Sequence, residues 1–139
     1  MNILHTLLAP ALLALLALLT PAAAAAGGSD PPALRGVVWQ LGADGPRPVH
    51  LRLDEKELNM TGYGGCNRLM GRFTLDGPRL RFDNLAGTRR ACVDDNDTED
   101  RFLAALGGVR GWRIEGGRLK LLSESGATLL ELRPGKAVP

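Results

Sequence analysis

The side chains best suited to chemistry in this chain are few. After the first residues there is one histidine, His50, and the cysteines are Cys66 and Cys92. Nucleophilic catalysis needs a nucleophile, a base within hydrogen-bond reach and usually a group that orients the base. The sequence neighbours of His50, Val49 and Leu51, are apolar and offer no carboxylate, so an exposed histidine on a strand is the simpler reading. Zinc wants about four ligands; Cys66, Cys92 and His50 make three, with no C-x-x-C or H-x-x-H pair. The acidic run Asp94 to Asp100 lacks the glycine and the distal bidentate glutamate of an EF-hand loop. Negative charge there suits a helix N-terminus, with weak calcium binding as the alternative. No catalytic constellation, metal site or cofactor site is expected.

The densest signal is Gly62 to Gly71, with glycines at 62, 64, 65 and 71. Such a cluster implies positive φ or the close approach of another segment. It is no phosphate loop, because no Gly-Lys-Ser/Thr ending or strand-to-helix context follows. Asn67 reads as a loop residue bonding local backbone. Two cysteines in an exported chain point to one disulfide, Cys66 to Cys92. That bond would make their loops neighbours, gathering Asn67 and Arg68 from the first with Arg89 and Arg90 from the second. These are the candidate partner-binding residues; ordinary solvated arginines are the competing reading.

Export is expected from the N-terminus. From Met1 to Ser29 there is no Lys, Arg, Asp or Glu, and Leu7 to Leu19 is almost all Leu and Ala. Pro21 and the small residues Ala22 to Ala26 follow, the pattern of a cleaved signal peptide. An uncleaved anchor over Leu7 to Ala26 is the rival. The expected division is a signal peptide over 1–26, a linker over 27–33, a domain over 34–133 and a tail over 134–139. The net charge of +2 is too mild to argue for nucleic acid or a membrane surface.

The elements that must position these residues are mostly strands. Leu34 to Leu41 has strong β propensity. Val49, Leu51 and Leu53 alternate with polar residues, Leu58 to Tyr63 follows, and Phe73/Leu75 and Leu80/Phe82 flank the hairpin signal Asp76-Gly77. Asn84 to Asp97 reads as a loop. Asn96 and Glu99 have capping-box spacing, and Phe102, Leu106 and Val109 share one helical face. Strands over Trp112 to Glu115, Leu119 to Ser123 and Thr128 to Arg133 close the domain. The fold class is mainly β: a small antiparallel β-barrel-like single domain with one α-helix, after the signal peptide.

Several of these segments resemble one family, the META domain of HslJ-like heat-shock proteins. The opening Leu34-Arg35-Gly36-Val37-Val38-Trp39-Gln40-Leu41 is similar to its L-x-G-x-x-W-x-L. Gly65-Cys66-Asn67 with Gly71, and Thr88-Arg89-Arg90-Ala91-Cys92, are similar to its two cysteine signatures. Glu99, Phe102, Ala105 and Leu106 match its helix, and Leu119, Leu121 and Gly126 its closing hairpin. Val37 and Arg90 depart from the pattern, which has Thr and an apolar residue there. The resemblance spans roughly Leu34 to Leu132. It implies a small barrel-like exported domain with no established catalytic residues. It also implies contexts of heat shock, envelope stress and drug tolerance, and in some organisms of secretion and motility.

The leading expectation is therefore a non-enzymatic, stress-related binding module of the periplasm or cell exterior. It would be monomeric and free of stable membrane insertion once cleaved. Its partner would be an envelope protein or a small apolar ligand, not nucleic acid. An inhibitor or ligand carrier of small β-barrel type, and a carboxylate-dependent hydrolase, are the alternatives.

Overall fold

The computed structural model describes residues 33–92 and 97–136. The expected signal peptide, most of the expected linker, residues Val93 to Asn96 and the end of the expected tail lie outside them. Eight strands and one helix follow in the order β1 (Val38–Gln40), β2 (His50–Leu53), β3 (Asn59–Tyr63), β4 (Arg68–Asp76), β5 (Arg79–Gly87), α1 (Asp97–Gly108), β6 (Gly111–Glu115), β7 (Arg118–Leu122) and β8 (Thr128–Pro134). Each strand pairs antiparallel with the next, and β8 returns to β1 through Trp39↔Pro134 and Gln40↔Arg133. The result is a closed up-and-down barrel, which removes the exposed sheet edges of an open sheet.

Alternation builds the core. In β2 the buried Leu51 and Leu53 separate the half-buried His50 and Arg52, and in β3 Met60 and Gly62 point inward. Trp39, Leu51, Leu53, Met60, Phe73, Leu119, Leu121 and Leu132 are all essentially inaccessible and fill the barrel with side chains. From α1, Phe102 and Leu106 join this core, and Val109 just past the helix completes it. The β5–β6 seam is short: Arg79↔Gly111 is its one register pair, and the helix joining the two strands packs against β5 and β8.

Three expectations need correction. The first strand is three residues long rather than Leu34 to Leu41, because Gly36 has φ +80° and turns the chain. Leu34 is nonetheless buried, and its carbonyl accepts a 2.9 Å hydrogen bond from the Trp39 indole. The glycine-rich stretch is not one loop: Gly62 and Tyr63 end β3, Arg68 to Gly71 begin β4, and only Gly64 to Asn67 connect them. The break placed at Asn84 lies inside β5. Asn84 takes φ +53°, the register to β4 shifts between Met70 and Arg72, and pairing then continues to Gly87. One irregular residue is absorbed as a bulge rather than ending the strand.

Candidate functional site

Because neighbouring strands run antiparallel, the β1–β2 loop, the β3–β4 connection and the segment after β5 all meet at one end of the barrel. The Cys66–Cys92 disulfide joins the last two there, with Cα atoms 6.1 Å apart. The glycines let these segments come close. Gly65 has φ +109°, a conformation L side chains resist. A Cβ on Gly64 would stand 2.6 Å from Cγ and Oε2 of Glu99, so the hairpin touches the helix where only a hydrogen atom fits.

Asn67 is the hub of the arrangement. Its Nδ2 donates to Glu99 Oε1 at 2.8 Å, and its Oδ1 accepts from the Arg90 amide at 2.8 Å and the Thr88 hydroxyl at 3.0 Å. Glu99 Oε2 accepts from the amides of Asn67 at 2.7 Å and Cys66 at 3.2 Å. Arg68 and Thr88 exchange two further bonds, amide to hydroxyl at 3.2 Å and amide to carbonyl at 3.0 Å. The expectation that Asn67 bonds local backbone holds for its carbonyl, which accepts from the Gly64 amide at 2.9 Å. The partners of its side chain lie 21 to 32 residues away, because barrel closure brings the helix start to the hairpin. Burial pushes the Glu99 carboxyl up, but the Asn67 side chain and the two amides outweigh it and hold the group below the usual carboxylate range. The capping-box partner expected for Glu99, Asn96, lies outside the described residues, and Glu99 ties the helix to the hairpin.

Beside this hub an open cleft of about 890 Å³ crosses the outer faces of β2, β3 and β4. The register lays His50 opposite Tyr63 and Tyr63 opposite Arg68 as its floor. The His50 and Tyr63 rings lie 6.3 Å apart between centroids, with 29° between their planes. Both are pinned: His50 Nδ1 donates to the Pro48 carbonyl at 2.8 Å, and the Tyr63 hydroxyl to the Gly65 carbonyl at 2.8 Å. His50 is thus half-buried rather than freely exposed. Arg47, from the β1–β2 loop, and Arg90 line the cleft as well.

Of the four candidate residues, Arg68 and Arg90 come to this cleft. Arg89 does not: it lines a neighbouring cleft with Glu99, Asp100 and Leu103. Asn67 has its side chain committed to holding the loops, so it positions other residues. Sequence reasoning missed Arg47, His50, Thr61 and Tyr63 as cleft residues. Their signal was strand alternation, which becomes a shared face only once the register is known. Among the described residues no group of three or more His, Cys, Asp or Glu side chains could hold a metal ion. Among the same residues no helix is long and apolar enough to cross a membrane.

Comparison with known proteins agrees with this architecture. The family model for the META domain matches residues 27–136. A solved structure, the NMR structure of a protein from Burkholderia xenovorans, superposes with a TM-score of 0.60 at 25% sequence identity. That match covers 75% of this chain and 85% of the other. No curated protein sequence matches the chain.

Proposed function

The chain belongs to the META domain family, and from that premise we propose that it is an exported, stress-related, non-enzymatic binding module of the cell envelope. Its binding face is the barrel end where the disulfide joins two loops, and its partner is acidic. One observation carries the reading: a hub of Asn67, Thr88, Glu99 and the disulfide holds the main chain of Arg68, through Thr88, and of Arg90, through Asn67. Their guanidinium groups, meanwhile, make no hydrogen bond or ion pair among the described residues. Binding residues concentrate on loops fixed by a scaffold, and arginine is enriched at interfaces. A cationic cleft favours an acidic partner over the small apolar ligand. The cysteines are bonded to each other, so neither offers a thiolate, which supports binding over thiol-based catalysis.

The test is capture from an envelope extract, using mature protein recovered from the same fraction. Its N-terminal mass should place the start between Ala25 and Gly28, whereas an intact Met1 would mean an anchor. Capture should weaken as salt rises, because exposed charges are screened. Changing Arg68 and Arg90 together to Glu should abolish it while the melting temperature moves little. Undiminished capture by the double variant would place the binding face elsewhere.

A further inference from the structure

Three arginines from three separate segments line the cleft. Arg47 comes from the β1–β2 loop, Arg68 from the start of β4, and Arg90 from the segment before Cys92. All three residues are exposed, and among the described residues none has a carboxylate within ion-pair distance. Elsewhere several arginines are paired, among them Arg81 with Asp83, Arg113 with Glu115 and Arg133 with Asp44, while among the described residues others such as Arg72 and Arg79 stand singly; what sets this place apart is that three arginines without an ion pair line one cleft. Like charges around one cleft repel unless an anion joins them, and the molecule's small net charge of +2 makes the local excess a feature of this place.

The anion's chemistry follows from counting donors and acceptors. Three guanidinium forks offer more paired donors than one carboxylate, with two oxygens, can accept. A phosphate monoester supplies three strong acceptor oxygens and a charge of about −1.5 to −2. The floor between the arginines is made of rings. His50 and Tyr63 are held side by side by carbonyls of their own loops, so they present fixed apolar bodies. The exposed Thr61 hydroxyl, next along β3, adds a neutral donor and acceptor. The cleft volume of about 890 Å³ suits a small ligand or a headgroup.

We propose that the cleft between the β1–β2 loop and the disulfide-linked loops binds a phosphorylated sugar. The phosphate lies among Arg47, Arg68 and Arg90, and the sugar ring rests on His50 and Tyr63. This rests on reading the same barrel end as the binding face, and names what that face recognises. The phosphorylated sugar can be free in solution or be the headgroup of a lipid. Preorganisation favours affinity here, because the main chain of both Arg68 and Arg90 is fixed before a ligand arrives.

The experiment uses the mature, disulfide-bonded protein and amide chemical-shift mapping with titration calorimetry. Glucose 6-phosphate should shift the amides of Thr61, Gly62, Tyr63 and Arg68 and bind more tightly than inorganic phosphate. Glucose should shift none. Arg47→Ser and Arg90→Ser should each weaken glucose 6-phosphate about tenfold, the loss of one charge-assisted pair. Arg113→Ser, on the other side of the barrel, should leave it unchanged. Arg47 lies on an exposed loop without side-chain bonds among the described residues, so its variant keeps the fold. Vesicles of phosphatidylcholine with phosphatidylinositol 4-phosphate distinguish the sources: retention beyond plain phosphatidylcholine vesicles assigns a lipid headgroup, and no retention with binding of free glucose 6-phosphate assigns a soluble sugar. Equal binding of glucose 6-phosphate to wild type and both variants, or no shift in the cleft, overturns the proposal. If envelope capture still depends on Arg68 and Arg90 in that case, the binding face stands and only the ligand class falls. Phosphosugar binding without arginine-dependent capture has the opposite meaning.

Discussion

Glu99 carries more of the candidate site's geometry than any other single side chain. Its two oxygens accept three hydrogen bonds from Cys66 and Asn67, two of them from main-chain amides. Removing an acceptor while leaving donors buried costs about 1–3 kcal/mol. Glu99→Gln keeps the shape but loses the charge and places an amide against those donors, so it should lower stability at neutral pH by about that amount. The pH dependence follows from the direction of the shift. Because the folded state holds the Glu99 carboxyl below its ordinary value of 4.5, the charged group contributes stability above the unfolded value, and that contribution is lost as pH falls through the lower folded value. Urea unfolding should therefore show a gap between wild type and Glu99→Gln that is full at pH ~7 and closes below pH ~4. A gap that stays constant into acid would mean that the carboxylate's charge does not hold the hairpin.

The β3–β4 hairpin and the segment after β5 are held twice, by the Asn67–Glu99 hub and by the disulfide. The cysteines are 26 residues apart in sequence, and closing a loop of that length removes unfolded-state entropy worth about 3.5 kcal/mol. Replacing both cysteines by serine should lower stability by up to that amount, read as a shift in the denaturant midpoint with an unchanged slope. Little loss would mean that the hub alone orders these segments. The elements themselves were largely legible from the sequence, for identifiable reasons. The alternation of Leu51 and Leu53 with His50 and Arg52, the Asp76-Gly77 turn and the Phe102/Leu106 stripe are local signals, and each reports an element that exists. Asn84 misled because a positive φ at a single Asn resembles a turn, while the pairing that carries β5 past it comes from β4. The cleft was only half legible. Arg68 and Arg90 could be grouped through the disulfide, but Arg47, Thr61 and Tyr63 join them through barrel register, which no local pattern encodes.

At the scale of the whole molecule the barrel is unevenly closed. β4 and β5 share seven register pairs around one bulge, and β3 and β4 share five. β1 and β8 share two and β5 and β6 one. Where the β5–β6 ladder is short, helix α1 packs against β5 and β8 and inserts Phe102 and Leu106 into the core. Beside the few backbone hydrogen bonds of that seam, the helix thus adds apolar contact with β5 and β8. Phe102 is 1% exposed, and truncating such a residue to alanine costs about 3–5 kcal/mol. In a domain of this size the melting temperature should fall by more than ~10 °C. The loss should also have a place. Amide exchange in the wild type should be slowest at Phe73, Leu75, Leu80 and Phe82, in the long ladder, and faster along α1 and β6. Phe102→Ala should speed exchange in α1 and β6 first, leaving the β4–β5 amides limited by global unfolding. If exchange instead accelerates equally throughout, the helix is part of one cooperative unit with the barrel and the short seam is not its weak point.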